Sequence, residues 1–455
     1  MQHKRSSSTL FKRLPLGLMV SLAFAGTSQA QSLVDMYEMA KTYDAGYQSA
    51  KSQYDANLAK ADQGKAALLP TIGLSGGATR SNLEAHAING STAQPQDRYF
   101  TTQSAGLNAS QPLYRPGNLA AYQQSQRGLD AAQAALTQAE QDLIVRTTQA
   151  YFDVLSAQEN LTFVQAQKSA VAEQLASAKR NFEVGTSTIT DTREAQARYD
   201  LVTAQEIAAD NDLRVKKVAL ELLVGKSNIT PLRLASQATL PPVTGANAEE
   251  WINQTEQVHP AIQQAKVNLD IAKLETSKAE SGHKPTVDFT LGYNVQRNIN
   301  GAATFAANLQ NQATVSSAGI AVNLPLFAGF ATQNRVRETI ALEDKARNDL
   351  EGAQRQVAQA TRTAYLGLQS GLSQVKALEA AEASSQAALD ANKLGYQVGV
   401  RINIDVLNSQ SQLYQTKRDL AKARYDVLVG QLKLRQASGT LKAEDLQSIN
   451  ALLQK

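Results

Sequence analysis

Residues 286–296 read TVDFTLGYNVQ, with Val287, Phe289, Leu291, Tyr293 and Val295 at every second position. Thr286, Asp288, Thr290, Gly292 and Asn294 fall between them. A period of two predicts a strand with one apolar and one polar face. The run 313–327 repeats the pattern with Ala318, Ile320, Val322 and Leu324, and weaker alternation marks 71–80 and 101–114. Elsewhere the spacing is helical. Small and apolar residues recur at that spacing over about 32–67, 116–183 and 188–225, then over about 248–281, 329–396 and 404–437. A 68-residue helix such as 116–183 is ~100 Å long at 1.5 Å per residue. The flanking helices are each about half that length, so two stacked end to end match one long helix. Such elements build a tall antiparallel sheaf rather than a ball.

The order of elements occurs twice. Gly185 and Gly399 lie 214 residues apart, as do Tyr151 and Tyr365, Asp191 and Asp405, and Gly225 and Gly439. SAGLNASQPLY (104–114) matches SAGIAVNLPLF (317–327), and Pro70 matches Pro285, at slightly different offsets. Landmarks kept in one order predict a duplicated unit of helix, two strands, long helix, turn and helix. The first repeat is placed at 31–240 and the second at 241–455, joined around Leu240-Pro241-Pro242.

Alternating segments of ~10 residues with aromatics towards their ends suit a membrane β-barrel. The girdle candidates are Tyr99, Tyr114, Phe289, Tyr293 and Phe327. Polar runs at 81–98 and 297–312 read as the outer loops, with Pro112 and Pro325 turning the chain towards the long helices. Bacterial barrels begin at ~8 strands, and two units supply four. Lipid does not tolerate open sheet edges, so a barrel here requires several chains in a closed ring. The competing reading is a soluble periplasmic coiled-coil scaffold, with the strands as hairpins packed on its helices. A third is a substrate-specific porin that is always open.

Composition narrows these readings. Residues 1–30 combine Lys4, Arg5, Lys12 and Arg13, an apolar run from Leu14 to Ala25, and small residues before Gln31. That is the pattern of a signal peptide, and the apolar run is shorter than the ~20 residues a spanning helix needs. Its removal takes four positive charges and lowers the formal net charge from +4 to zero, which argues against nucleic acid as a partner. The chain has no Cys, hence no disulfide and no lipid-bearing N-terminal Cys. His3, His86, His259 and His283 are scattered, and no metal-binding, phosphate-binding or nucleophile motif occurs. No catalytic residue, metal site or cofactor is expected.

The stretches GYQVGVRINIDVLNSQSQLYQTKRDLAKARYDVLVGQLKLRQASGTL (395–441) and RNFEVGTSTITDTREAQARYD (180–200) resemble the TolC family of outer-membrane export channels. The resemblance covers essentially the whole chain after residue 30. It implies a homotrimer in the bacterial outer membrane. Each chain would give four strands to a shared twelve-stranded barrel standing on a helical tunnel in the periplasm. It also implies two partners, a periplasmic adaptor protein and an inner-membrane ABC or RND transporter. Cargo could be small molecules or proteins.

Residue roles follow from the same resemblance. The turns at Val184-Gly185-Thr186 and Val398-Gly399-Val400 would be the tunnel tips where an adaptor docks. Tyr396 and Arg401 would link to Asp191 and Thr190 and hold the tunnel closed. Asp405 would belong to an entrance ring in which Asn408 replaces a second acid, leaving half the formal charge and weaker cation selectivity. From the residues alone, Asp191 with Glu194 has capping-box spacing, and Asp405 is an acid suited to the first turn of a helix.

Overall fold

A computed structural model describes residues 31–85, 96–235, 240, 247–299 and 310–453. The expected signal segment 1–30, Pro241 and Pro242 of the linker, and the centres of both expected loops (86–95 and 300–309) lie outside the described residues.

The first repeat contains helices α1 (Leu33–Tyr43) and α2 (Ala45–Ala66), strands β1 (Thr71–Ala85) and β2 (Gln96–Tyr114), and helices α3 (Pro116–Glu183) and α4 (Ile189–Val224). The second runs in the same order: α5 (Ala248–Val258), α6 (Pro260–Glu280), β3 (Thr286–Ile299), β4 (Asn311–Asn323), α7 (Ala331–Gln397) and α8 (Asn403–Ala437). A short α9 (Asp445–Asn450) follows. No described helix is long and apolar enough to cross a membrane.

The expected helices 32–67 and 248–281 are each broken once, at equivalent points. Asp44 ends α1 and caps α2, its Oδ1 accepting from the Tyr47 amide at 2.7 Å. Arg146 of α3 clamps the same carboxylate at 3.0 and 3.1 Å. His259 ends α5 and caps α6 through Nδ1, with Pro260 in the first helical position where its missing N–H costs nothing. Each break receives a left-handed glycine. A Cβ on Gly225 (φ 73°) would lie 2.4 Å from the Tyr43 ring, and one on Gly439 (φ 75°) would lie 2.4 Å from His259 Cα. The chain thus steps sideways at mid-height in both repeats. Beside this step lies the main core, where Tyr37, Leu143, Tyr151, Phe152, Leu428 and Ile449 are fully buried.

The strands form one antiparallel sheet in the order β1-β2-β3-β4. They differ in length from expectation: β1 extends to Ala85, β2 begins at Gln96, and β4 stops at Asn323 rather than 327. Pro325 lacks the N–H that a continued ladder would use. Pro112 sits at a register shift between β2 and β3, near the strand end. The register puts the apolar residues on one face. Ile72, Ala109, Leu291 and Ala318 form one row, and Leu74, Leu107, Tyr293 and Ser316 the next. Leu74 is 84% exposed and Ile320 is 67% exposed, so this face has no cover within the chain. On the other face Gly73, Asn108, Gly292 and Ser317 align. Tyr114 and Phe289 lie at the end near the helices, Phe327 just beyond it, and Tyr99 towards the far end. Tyr293 departs from the girdle expectation and sits at mid-height.

Candidate functional site

The tips of the two long hairpins are built alike. At the first, the Gly185 amide donates to the Phe182 carbonyl at 3.0 Å and the Thr186 amide to Asn181 at 2.8 Å. At the second, Gly399 donates to Tyr396 at 3.1 Å and Val400 to Gly395 at 2.9 Å. This pair of bonds needs a left-handed residue, and Gly185 (φ 78°) and Gly399 (φ 81°) supply it. Neither glycine has an atom near its Cβ direction, so both turns face open space. Around them Val184, Val398, Val400 and Ile402 stand exposed.

Asp191 occupies the third helical position of α4, and Thr188, not Asp191, is the cap. The Asp191 carboxylate accepts from Ser187 Oγ at 2.7 Å, Thr188 Oγ1 at 2.8 Å and the Thr188 amide at 2.9 Å. The Ser187 hydroxyl above all, then the Thr188 donors, hold this carboxyl below the usual range. Asp405 holds the same position in α8, behind Ile402, which has no side chain to cap with. Arg401 lies 3.7 Å from Asp405.

Within the chain, Tyr396 and Arg401 do not bond to Thr190 or Asp191. Tyr396 Oη accepts instead from Asn181 Nδ2 at 3.3 Å. Thr190 is exposed. Other residues tie the hairpins together. Asn403, 1% exposed, accepts from Gln174 Nε2 through its Oδ1, and its Nδ2 donates to the Asp191 carbonyl at 3.4 Å. Leu407 of α8 joins the buried apolar cluster of the first hairpin, which includes Val171, Leu175, Ala178 and Ala195. Asn408 is exposed, and its Oδ1 accepts from Arg198 of α4 at 2.9 Å. Sequence reasoning missed Asn181, Gln174, Asn403 and Arg198. The one available signal was Asn403 itself, a polar residue between two isoleucines at a helix start.

The described residues contain no cluster of metal-ligating side chains.

The duplicated fold is matched by comparison with known proteins. A family model described as outer membrane efflux protein matches residues 37–226 and again 251–440. The chain belongs to that family. TolC of Vibrio cholerae is 33% identical over 97% of this chain and 98% of its own length. TolC of Escherichia coli is 30% identical over 98% and 90% respectively. Solved structures share the fold. VceC of Vibrio cholerae superposes with a TM-score of 0.74 at 20% identity, covering 90% of this chain and 96% of that one. CmeC of Campylobacter jejuni also gives 0.74, at 16% identity, covering 93% and 90%.

As a member of the outer membrane efflux protein family, the chain is an outer-membrane efflux or secretion channel with its helical part in the periplasm. The soluble-scaffold alternative falls with that assignment. The exposed apolar face of the sheet lies at one end of the long helices and the hairpin tips at the other, periplasmic end.

Proposed function

We propose that three copies close their sheets into one twelve-stranded barrel and form an export duct gated at its periplasmic tips. The observation that carries the reading is the four-stranded sheet with an uncovered apolar side and, among the described residues, unpaired outer edges on β1 and β4. Unpaired amides at membrane depth cost several kcal/mol each, and pairing β4 of one copy with β1 of the next removes them. Residues 1–30 would be cleaved on export, leaving repeats at 31–240 and 241–455.

Cargo would arrive through a periplasmic adaptor from an inner-membrane ABC or RND transporter. The exposed Val184-Gly185-Thr186 and Val398-Gly399-Val400 turns are the docking points. Among the relatives, AprF of Pseudomonas aeruginosa is named an alkaline protease secretion protein, and CzcC of Cupriavidus metallidurans a cobalt-zinc-cadmium resistance protein.

In the closed duct Tyr396 and Arg401 restrain the tips, with Thr190 and Asp191 as their partners across the assembly. Within a chain Asn181 and Asp405 position the two side chains. Asp405 supplies the entrance charge, and Asn408 contributes none.

The test has two arms. Detergent-extracted protein is weighed by light scattering, and its conductance is recorded in planar bilayers. A trimer with small, rare openings supports the reading. A stable monomer, or a wide permanent pore, refutes it.

A further inference from the structure

The lipid-facing side of the sheet ends in two cations that the transport function does not use. Five rows on this face are mainly apolar, from Val287 and Val322 up to Gly76, Ala105, Val295 and Thr314. Those rows span ~27 Å along the strands, or roughly 20 Å of height at a barrel tilt, near the expected thickness of an apolar band. The next row contains Ala78, Gln103, Arg297 and Gln312, and the one beyond it Arg80, Thr101 and Ile299. Arg297 and Arg80 therefore point to the same face, one row apart, on either side of β2. Strand spacing puts their Cα atoms about 12 Å apart, within joint reach of one headgroup.

Both arginines are exposed, and neither has an acidic partner among the described residues. The Arg80 guanidinium lies 5.1 Å from the centre of the Tyr99 ring, which is 59% exposed on the same face. Tyrosine marks the headgroup level of a membrane, and its ring holds the guanidinium there without neutralising it. The nearest acid along β1 is Glu84, four residues further out and bonded to Asn82 at 3.2 Å. Near the other rim the cation Arg115 is clamped by Asp288, a residue of the polar face, at 2.6 and 2.7 Å.

We propose that Arg80 and Arg297, with Tyr99, form a binding site for the phosphate of a lipid headgroup in the outer leaflet. Two planar donor forks can share one phosphate or take one each. With the barrel closed by three copies, the site repeats around the outer rim. The inference rests on that closure but not on the gate or the adaptor.

The test uses the full-length protein purified in detergent. Wild type, the charge-removing R80Q/R297Q and the charge-keeping R80K/R297K are incubated with micelles of phosphatidylglycerol or phosphatidylcholine. Bound lipid is counted by native mass spectrometry. Heat-modifiable migration of each variant reports whether the barrel has closed, independently of lipid. With closure unchanged, R80Q/R297Q should lose phosphatidylglycerol affinity by about 5-fold per arginine, roughly 25-fold in all. R80K/R297K should keep most of it, and phosphatidylcholine, whose phosphate is offset by its own choline, should lose far less than phosphatidylglycerol. Equal phosphatidylglycerol retention by wild type and R80Q/R297Q would overturn the proposal. So would displacement of the lipid by excess inorganic phosphate, which would make this a site for free anions.

Discussion

Arg198 of α4 donates to Oδ1 of Asn408 on α8 over 2.9 Å, joining the second helices of the two hairpins at the proposed entrance. An acid at position 408 would therefore meet a guanidinium already in place. N408D alone is expected to shift the zero-current potential in a salt gradient only slightly, because Arg198 screens the new charge. N408D combined with R198Q should shift it clearly towards cations. Equal shifts in the two variants would show that this contact does not govern the entrance.

Tyr396 and Arg401 carry the proposed restraint on the tips. Y396F with R401Q should raise single-channel conductance several-fold, and N181A should give part of that rise by releasing Tyr396. Unchanged conductance in bilayers would remove the gate from the account.

Asn403 is the buried tie between hairpins. N403A leaves the Gln174 donor and the Asp191 carbonyl without their partner, a loss of about 1–3 kcal/mol. Hydrogen exchange should show faster opening of the α4 and α8 starts, with the sheet unaffected. Protection equal to wild type would contradict the tie.

Two of the left-handed glycines separate backbone strain from collision. Gly399 has open space around it, so G399A should cost only the ~1–2 kcal/mol of a left-handed alanine. Gly225 abuts the Tyr43 ring, so G225A should lower the melting temperature considerably more. Similar melting temperatures for both would show that the mid-height step yields easily.

Glu159 gives a pH signature. It accepts from Tyr425 at 2.7 Å, and burial raises its pKa, against the pull of that bond and of Arg233 and Arg424. The folded state thus favours the protonated acid. That contribution is complete below the unfolded value of 4.5 and is lost as pH rises through the folded value. E159Q keeps an acceptor for Tyr425 and removes the charge. It should melt higher than wild type at pH 7 and level with it near pH 4. A lower melting temperature at pH 7 would mean that the charge is needed by the arginines.

The repeats, the long helices and the alternation of β3 were legible because each rests on local periodicity. The breaks at Asp44 and His259 were not. Apolar spacing continues past them, through Met36, Tyr37, Ala40 and Tyr47, while a single side chain redirects the backbone. Thr188 rather than Asp191 as cap was a shift of three residues within a correctly located turn. The ties made by Asn181, Asn403 and Arg198 join segments more than 200 residues apart, and no periodicity encodes such pairings.

Each copy carries a sheet whose first and last strands lack a neighbour, whereas its helices satisfy their own backbones. On the proposed closure biogenesis divides in time: the backbone of the periplasmic shaft is complete in one copy, while the membrane portion waits for its neighbours. Lipid insertion should accordingly depend steeply on how many copies are secreted together, and a scarce transcript would leave soluble, half-finished shafts behind.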